Sequence, residues 1–172
     1  MPRNPLARCL CRFTLGLPLL WLAVGALADD NAHRVALNVF GVSYHHNREL
    51  AHSSHTDNER NWGVGVNYEL ERTARSRIFL DAGAYRDSGR NIARYGGGGW
   101  QGRLGSTNFL AGGAIVLFHS QTYFNNRPFL APVPLLTYEF EKFDVTLFHF
   151  IKYENLNRVA VSGLFLTIPI GK

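Results

Sequence analysis

Between Trp62 and Leu70 every second residue is apolar or aromatic (Trp62, Val64, Val66, Tyr68, Leu70), and the residues between them are small or polar (Gly63, Gly65, Asn67, Glu69). Side chains alternate across a strand, so this spacing predicts a β-strand with one apolar face. Aromatic residues near both ends are what a strand facing lipid on one side carries. The same alternation predicts eight strands, at about 34–46, 60–71, 76–87, 93–104, 108–119, 131–140, 143–153 and 158–170. A tilted strand of about 9–11 residues crosses a bilayer. An even number of such strands predicts an all-β fold, an eight-stranded antiparallel transmembrane β-barrel of the outer membrane. Closure satisfies every backbone donor and acceptor in lipid, which an open sheet does not.

The N-terminus reads as a cleavable signal peptide over residues 1–28. Arg3, Arg8 and Arg12 precede an apolar stretch from Phe13 to Val24, and Ala26-Leu27-Ala28 comes before Asp29. That stretch is broken by Gly16 and Pro18 and is shorter than the about 20 residues a transmembrane helix needs. The rest, 29–172, reads as a single barrel domain exported to the cell outer membrane of a Gram-negative bacterium. Both cysteines, Cys9 and Cys11, lie in the signal, so neither a thiol nucleophile, a Cys-ligated zinc nor a disulfide scaffold is expected. Once the three signal arginines are removed, 15 basic residues face 13 acidic ones, a net charge of +2 that gives no case for nucleic acid.

The connections alternate in character. Asn47–Glu59, Ser88–Ile92 and Ser120–Leu130 are long or polar, whereas Arg72–Arg75, Gly105–Thr107 and Glu141–Lys142 are tight. Barrels of this class have short periplasmic turns and longer outer loops. Strand 1 then rises to end at His45-His46, and strand 3 rises to end at Asp87-Ser88, which places both pairs on the outer rim. Inside, Asn38, Asn67 and Asp81 make a polar lower lumen. Higher up, the fifth strand from Leu110 to Phe118 and the seventh through Leu147, Phe148, Phe150 and Ile151 are apolar on both faces. An oily upper lumen is able to hold a hydrocarbon chain, each buried methylene contributing about 0.8 kcal/mol. It also fits the ordinary packing of a small barrel's interior.

A histidine, a serine and an aspartate at one rim form a candidate acyl-transfer site. His45 or His46 is the proton acceptor, Ser88 attacks the ester or donates to the oxyanion, and Asp87 orients or stabilises a charged histidine. Strand phase counted from an inward Asn38 turns His46 inward. Adjacent Asp87 and Ser88 point to opposite sides of a regular strand, so a linear triad requires the chain to have turned by Ser88. No cofactor is called for, and His45, His46, His52, His55 and Asp57 lack the fixed spacing of a metal site.

The segment Asn58-Glu59-Arg60-Asn61-Trp62-Gly63, the pair Asp87-Ser88 with Gly99-Trp100 beyond it, and Tyr44-His45 upstream resemble the PagP-like family of outer-membrane lipid A palmitoyltransferases. The separations from Trp62 to Asp87 and from Asp87 to Trp100 match without a gap. The histidine aligns as His45 after a one-residue deletion. The resemblance is best over Tyr44 to Trp100 and looser over Pro128 to Tyr153.

It implies transfer of palmitate from a glycerophospholipid to a hydroxyacyl chain of lipid A by a monomer that the outer-membrane assembly machinery inserts, with resistance to antimicrobial peptides as a consequence. It also implies an acyl pocket whose floor is Gly99 before Trp100, and a lateral lipid gate at Pro132-Val133-Pro134, where proline lacks the N–H of a full ladder. Gly96 to Gly99 equally suit a bend at a barrel corner. The chain departs from the family in three places. Only Asp29–His33 precede strand 1 where an amphipathic helix is expected, Phe150-Ile151-Lys152-Tyr153 stands in place of a second gate proline, and Phe165 is the nearest aromatic to the terminus.

Arg86, Arg90, Arg94, Arg127, Lys152 and Arg158 fall near the outer rim. They suit lipid A phosphates or simple interfacial charge. Two rival functions stand beside the transferase. His52-Ser53-Ser54 is similar to the His-x-Ser of lipid A deacylases, and a small barrel also serves as a non-enzymatic adhesin or structural element.

Overall fold

The computed structural model describes residues 34–153 and 156–170. The expected signal peptide with Cys9 and Cys11, and the short stretch Asp29–His33, lie outside the described residues. Eight strands, β1 (Val35–His45), β2 (Arg60–Arg72), β3 (Ser76–Arg86), β4 (Ile92–Arg103), β5 (Phe109–His119), β6 (Phe129–Glu139), β7 (Asp144–Phe150) and β8 (Val161–Ile170), close into one barrel. Each strand is antiparallel to the next, and β8 returns to pair with β1. Among the described residues the only α-helix is α1 (Arg48–Ser53), in the β1–β2 connection, started by Asn47, whose side chain accepts from the Leu50 N–H.

The alternation read from β2 is the one observed. Trp62, Val64 and Val66 face outward, Trp62 with 67 % of its surface exposed, while Asn61, Gly65 and Asn67 are turned inward. Gly63 faces Tyr85 across the β2–β3 pair with no room for a side chain. A Cβ there would lie 2.2 Å from the Cβ of Tyr85, a contact no side chain allows. Apolar outward faces on all eight strands make a surface compatible with an outer-membrane protein.

One register shift reorganises the rim. In β1, Phe40 pairs with Phe165 and Val42 with Leu164, so Gly41 is an extra residue, a β-bulge. Below it Ala36, Asn38 and Phe40 face the lumen; above it Ser43 and His45 do. A count of strand phase from Asn38 misses this residue, and the inward histidine is His45 rather than His46.

The lumen is filled in layers. At the end with the tight turns, Arg77 donates to Gln101 (2.6 and 2.9 Å) and Asp144 (2.9 Å), Arg72 to Glu69 and Glu139, and Arg103 to Glu139. Above these, Asp81 accepts from Asn38 (2.6 Å), Asn67 (3.2 Å) and the Tyr95 hydroxyl (2.8 Å). Each charge in these layers therefore has a partner, as burial demands. Next comes an aromatic layer in which Phe40 lies on Tyr85 and Phe165 at 5.0 Å, with Phe118 and Phe148 completing it.

The ends of β6, β7 and β8 each lie within three residues of the expected positions. β6 starts at Phe129, β7 stops at Phe150 rather than near 153, and β8 begins at Val161 rather than near 158. The β6–β7 ladder runs only from Leu135↔Phe148 to Glu139↔Asp144. Higher up β6 remains paired with β5, through Pro132↔Ile115 and Pro134↔Gly113. Two prolines two residues apart lack their N–H on the same edge. With the β5 edge intact, that edge is the one facing β7.

Candidate active site

The bulge at Gly41 and the turn after β3 bring His45 and Ser88 together. His45 is 1 % exposed, and its Nε2 lies 2.9 Å from Ser88 Oγ. The turn is closed by hydrogen bonds from the Asp87 N–H to the Asn91 carbonyl (2.8 Å) and from the Arg90 N–H to the Asp87 carbonyl (3.0 Å), with Arg90 in the left-handed region. Because β3 has already ended at Arg86, Asp87 and Ser88 both point inward and both are buried. The chain has turned by Ser88, as a shared site requires.

The Asn58–Gly63 segment explains itself in this setting. The Asn58 side chain donates to the Asp87 carbonyl (2.8 Å), and its N–H donates to the Ser88 carbonyl (3.0 Å), so one residue clamps the serine turn. Asn61 donates to the Arg86 carbonyl (2.8 Å) and accepts from the Ser43 hydroxyl. Arg60 and Trp62 are exposed, and Gly63 permits the close approach to Tyr85. Glu59 reaches His45, its Oε1 3.6 Å from Nδ1 and its Oε2 2.7 Å from Arg48.

Asp87 does not orient the histidine. Its carboxylate accepts from the Asn91 N–H (2.9 Å) and the Ser120 hydroxyl, and neither oxygen is hydrogen-bonded to His45. It holds the turn that presents Ser88. Ser120 and Tyr123, in the β5–β6 connection, are site residues that the sequence did not disclose, because loop residues carry no periodicity. Burial pushes the Tyr123 phenol up to about 12, with the Ser88 hydroxyl acting against that shift. Tyr123 therefore keeps its proton at neutral pH and is a hydrogen-bond donor next to the serine.

Ser88, Asp87, Ser43 and Tyr123 line one end of a mainly apolar cavity of about 320 Å³. The other end reaches Leu130 and Pro132 on β6 and Ile151 and Tyr153 beyond β7, where the ladder is absent. Tyr85, Phe118, Phe148 and Phe150 form its floor and separate it from a second cavity of about 60 Å³ below. Gly99 and Trp100 line neither cavity. Trp100 points outward, 53 % exposed, and a Cβ at Gly99 would meet Phe79 Cζ at 2.5 Å. Phe79 therefore fills the space that a floor at Gly99 would leave open. The expectation is corrected accordingly: the aromatic layer sets the depth.

His46 lies on the outer face with Nε2 2.9 Å from Ser162 Oγ, which is also 2.9 Å from His149 Nδ1. It takes no part in the Ser88 site. His52, on α1, pairs with Asp57 (2.9 Å), which also accepts from Arg90 (2.9 Å). Hydrogen bonds from His52 and then Arg90 lower the Asp57 pKa to about 2. The serine of the His-x-Ser pattern is Ser54, and among the described residues no hydrogen bond joins it to the His52 ring, whose Nδ1 bonds Asp57 instead. Among the described residues no three His, Cys, Asp or Glu side chains gather as a metal site.

Against known proteins, no family model and no curated protein matches the chain.

Proposed function

We propose that this barrel is an outer-membrane acyltransferase that moves an acyl chain, palmitoyl by its resemblance, from a glycerophospholipid to a hydroxyacyl chain of lipid A. The observation that carries the reading is the serine hydroxyl in an apolar cavity whose lining reaches the unpaired upper parts of β6 and β7, with an imidazole 2.9 Å from that hydroxyl. A phospholipid acyl chain enters from the bilayer through that seam and brings its ester to Ser88.

At the end of β1, where Arg48, His52, Asp57 and Glu59 of the β1–β2 connection surround it, burial lowers the His45 pKa below 6.5 and Glu59 acts in the opposite direction, burial being the larger effect. The imidazole is therefore neutral at pH 7 and able to take a proton. His45 Nε2 accepts the Ser88 proton as Oγ attacks the ester carbonyl. The bond to the glycerol oxygen breaks, and that oxygen leaves with the proton as a lysophospholipid. The lipid A hydroxyl then attacks the acyl-serine, gives its proton to His45, and Ser88 is regenerated. Tyr123 donates to the oxyanion of each tetrahedral intermediate. The barrel closes on itself, and the stretch of β6 that β7 leaves unpaired carries Pro132 and Pro134, which blunt it as an edge and suit a monomer.

The test is mass spectrometry of lipid A from cells lacking the protein, complemented with wild type or with Ser88→Ala. One added palmitoyl mass with wild type and none with Ser88→Ala is the expected result. Loss of a hydroxyacyl mass would select deacylation instead, and an unchanged lipid A would select a non-enzymatic barrel. Chain length is a second readout. Phe118→Ala joins the two cavities, so the variant is expected to shift donor preference toward longer acyl chains in a competition between phosphatidylcholines of different length. At about 0.8 kcal/mol per methylene the shift is roughly fourfold for each added carbon. An unchanged preference would mean that the aromatic layer does not set the depth.

A further inference from the structure

We infer that Glu59 is the positioning carboxylate of the site, holding His45 in the tautomer and orientation in which Nε2 faces Ser88. The substrate that would test this role rests on the acyl-transfer proposal, whereas the placement of Glu59 rests on geometry alone. His45 Nδ1 is, among the described residues, the only buried side-chain nitrogen or oxygen without a hydrogen-bond partner. A buried polar atom left unpaired is costly, and a buried histidine is normally oriented through its second nitrogen. Glu59 Oε1 is 3.6 Å from that nitrogen and 3.3 Å from the His45 backbone N. Resting active sites are often looser than loaded ones, so closing this distance asks little of the side chain.

The carboxylate is itself fixed. Arg48, in the first turn of α1, holds Oε2 at 2.7 Å. Asp87 is excluded from the role because its oxygens are taken by Asn91 and Ser120. The two neighbours Asn58 and Glu59 divide the work: Asn58 clamps the turn that carries Ser88, and Glu59 addresses the far side of the imidazole. The result is a Ser88–His45–Glu59 relay, the arrangement by which a carboxylate keeps the proton on Nδ1 and leaves Nε2 free to accept.

The groups facing His45 are Arg48, His52, Asp57 and Glu59 from the β1–β2 connection and Ser88 from the turn after β3. Of these, Glu59 and Asp57 favour the charged imidazole and Arg48 opposes it. Removing the Glu59 charge therefore moves the titration of His45 to lower pH.

The experiment uses the full chain in bilayers, with dipalmitoyl phosphatidylcholine as donor and lipid A as acceptor, and folding of each variant is checked by heat-modifiable gel migration. Glu59→Ala is expected to lower kcat by about 10²-fold or more with little change in KM, and Glu59→Asp to recover part of the loss. Glu59→Gln keeps the shape and removes the charge. It is expected to displace the acid limb of the kcat/KM profile downward, which a purely structural role would not do. Nitrogen NMR of the His45 ring, assigned by its absence in His45→Ala, is the second readout. Wild type is expected to carry its proton on Nδ1, and Glu59→Gln to titrate at lower pH. A wild-type kcat in Glu59→Ala, or a His45 titration unmoved in Glu59→Gln, overturns the inference. If wild type transfers no acyl chain, the NMR arm still decides: a moved titration keeps the positioning role while the acyl-transfer reading falls, and an unmoved one removes both.

Discussion

His45→Ala is expected to reduce acyl transfer by about 10²- to 10⁴-fold, the usual range for loss of a general base, while His46→Ala leaves it within a factor of two or three. The two residues are adjacent and chemically identical; strand alternation puts them on opposite faces, and the bulge at Gly41 makes His45 the inward one. His45 is buried with Nε2 2.9 Å from the Ser88 hydroxyl, and His46 is exposed against Ser162. The pH dependence has a definite sign. Burial holds the His45 pKa below 6.5, so the base form is present at neutral pH and is lost as pH falls through that lower value. Wild-type kcat/KM should therefore be flat near pH 7 and decline only on the acid side. Measured transfer by both variants in one vesicle assay checks the assignment. Equal losses at the two positions would mean that the register above Gly41 is not the one described.

The largest effect on stability is expected at the opposite end. Arg77→Leu should destabilise the barrel by about 3–5 kcal/mol, as removal of one member of a buried ionic network does. Arg77 is 6 % exposed and bonds Gln101 and Asp144, with Thr137 at 3.3 Å and the Glu69 carboxylate at 3.6 Å. Leucine fills much of the volume but offers no donor, so Asp144 loses its closest cation and Gln101 Oε1 its donor. Urea unfolding from lipid vesicles, followed by tryptophan fluorescence, measures the change. A loss below about 1 kcal/mol, the scale of exposed pairs, would show that water reaches this layer and replaces the hydrogen bonds of Arg77.

Much of the fold was legible in the chain because a barrel that is apolar outside and polar or packed inside writes its pattern with period two. Trp62 to Leu70 and Ile78 to Ala84 each display one face, and the observed exposure follows it. The turn lengths gave strand direction, which brought His45 and Ser88 to the same rim. Other elements left no such trace. Gly41 looks like any strand glycine, and an extra residue is visible only when both neighbours' registers are known. Glu59 appeared as one letter of a motif, and its distance to His45 depends on how the β1–β2 connection folds over α1. Asp87 was the obvious acid beside Ser88, but Asn91 and Ser120 take its oxygens.

The chain by itself thus determined the strand number, their order and direction, the inward and outward faces below the bulge, and the rim where the reactive groups collect, because these follow from side-chain periodicity and connection length. Only the tertiary structure decided which histidine faces the lumen, which carboxylate stands behind it, where the β6–β7 ladder ends and what closes the cavity floor. Each of those depends on register and packing between strands far apart in sequence: a one-residue shift reverses every side chain beyond it, and a single ring such as Phe79 occupies the space beside a glycine.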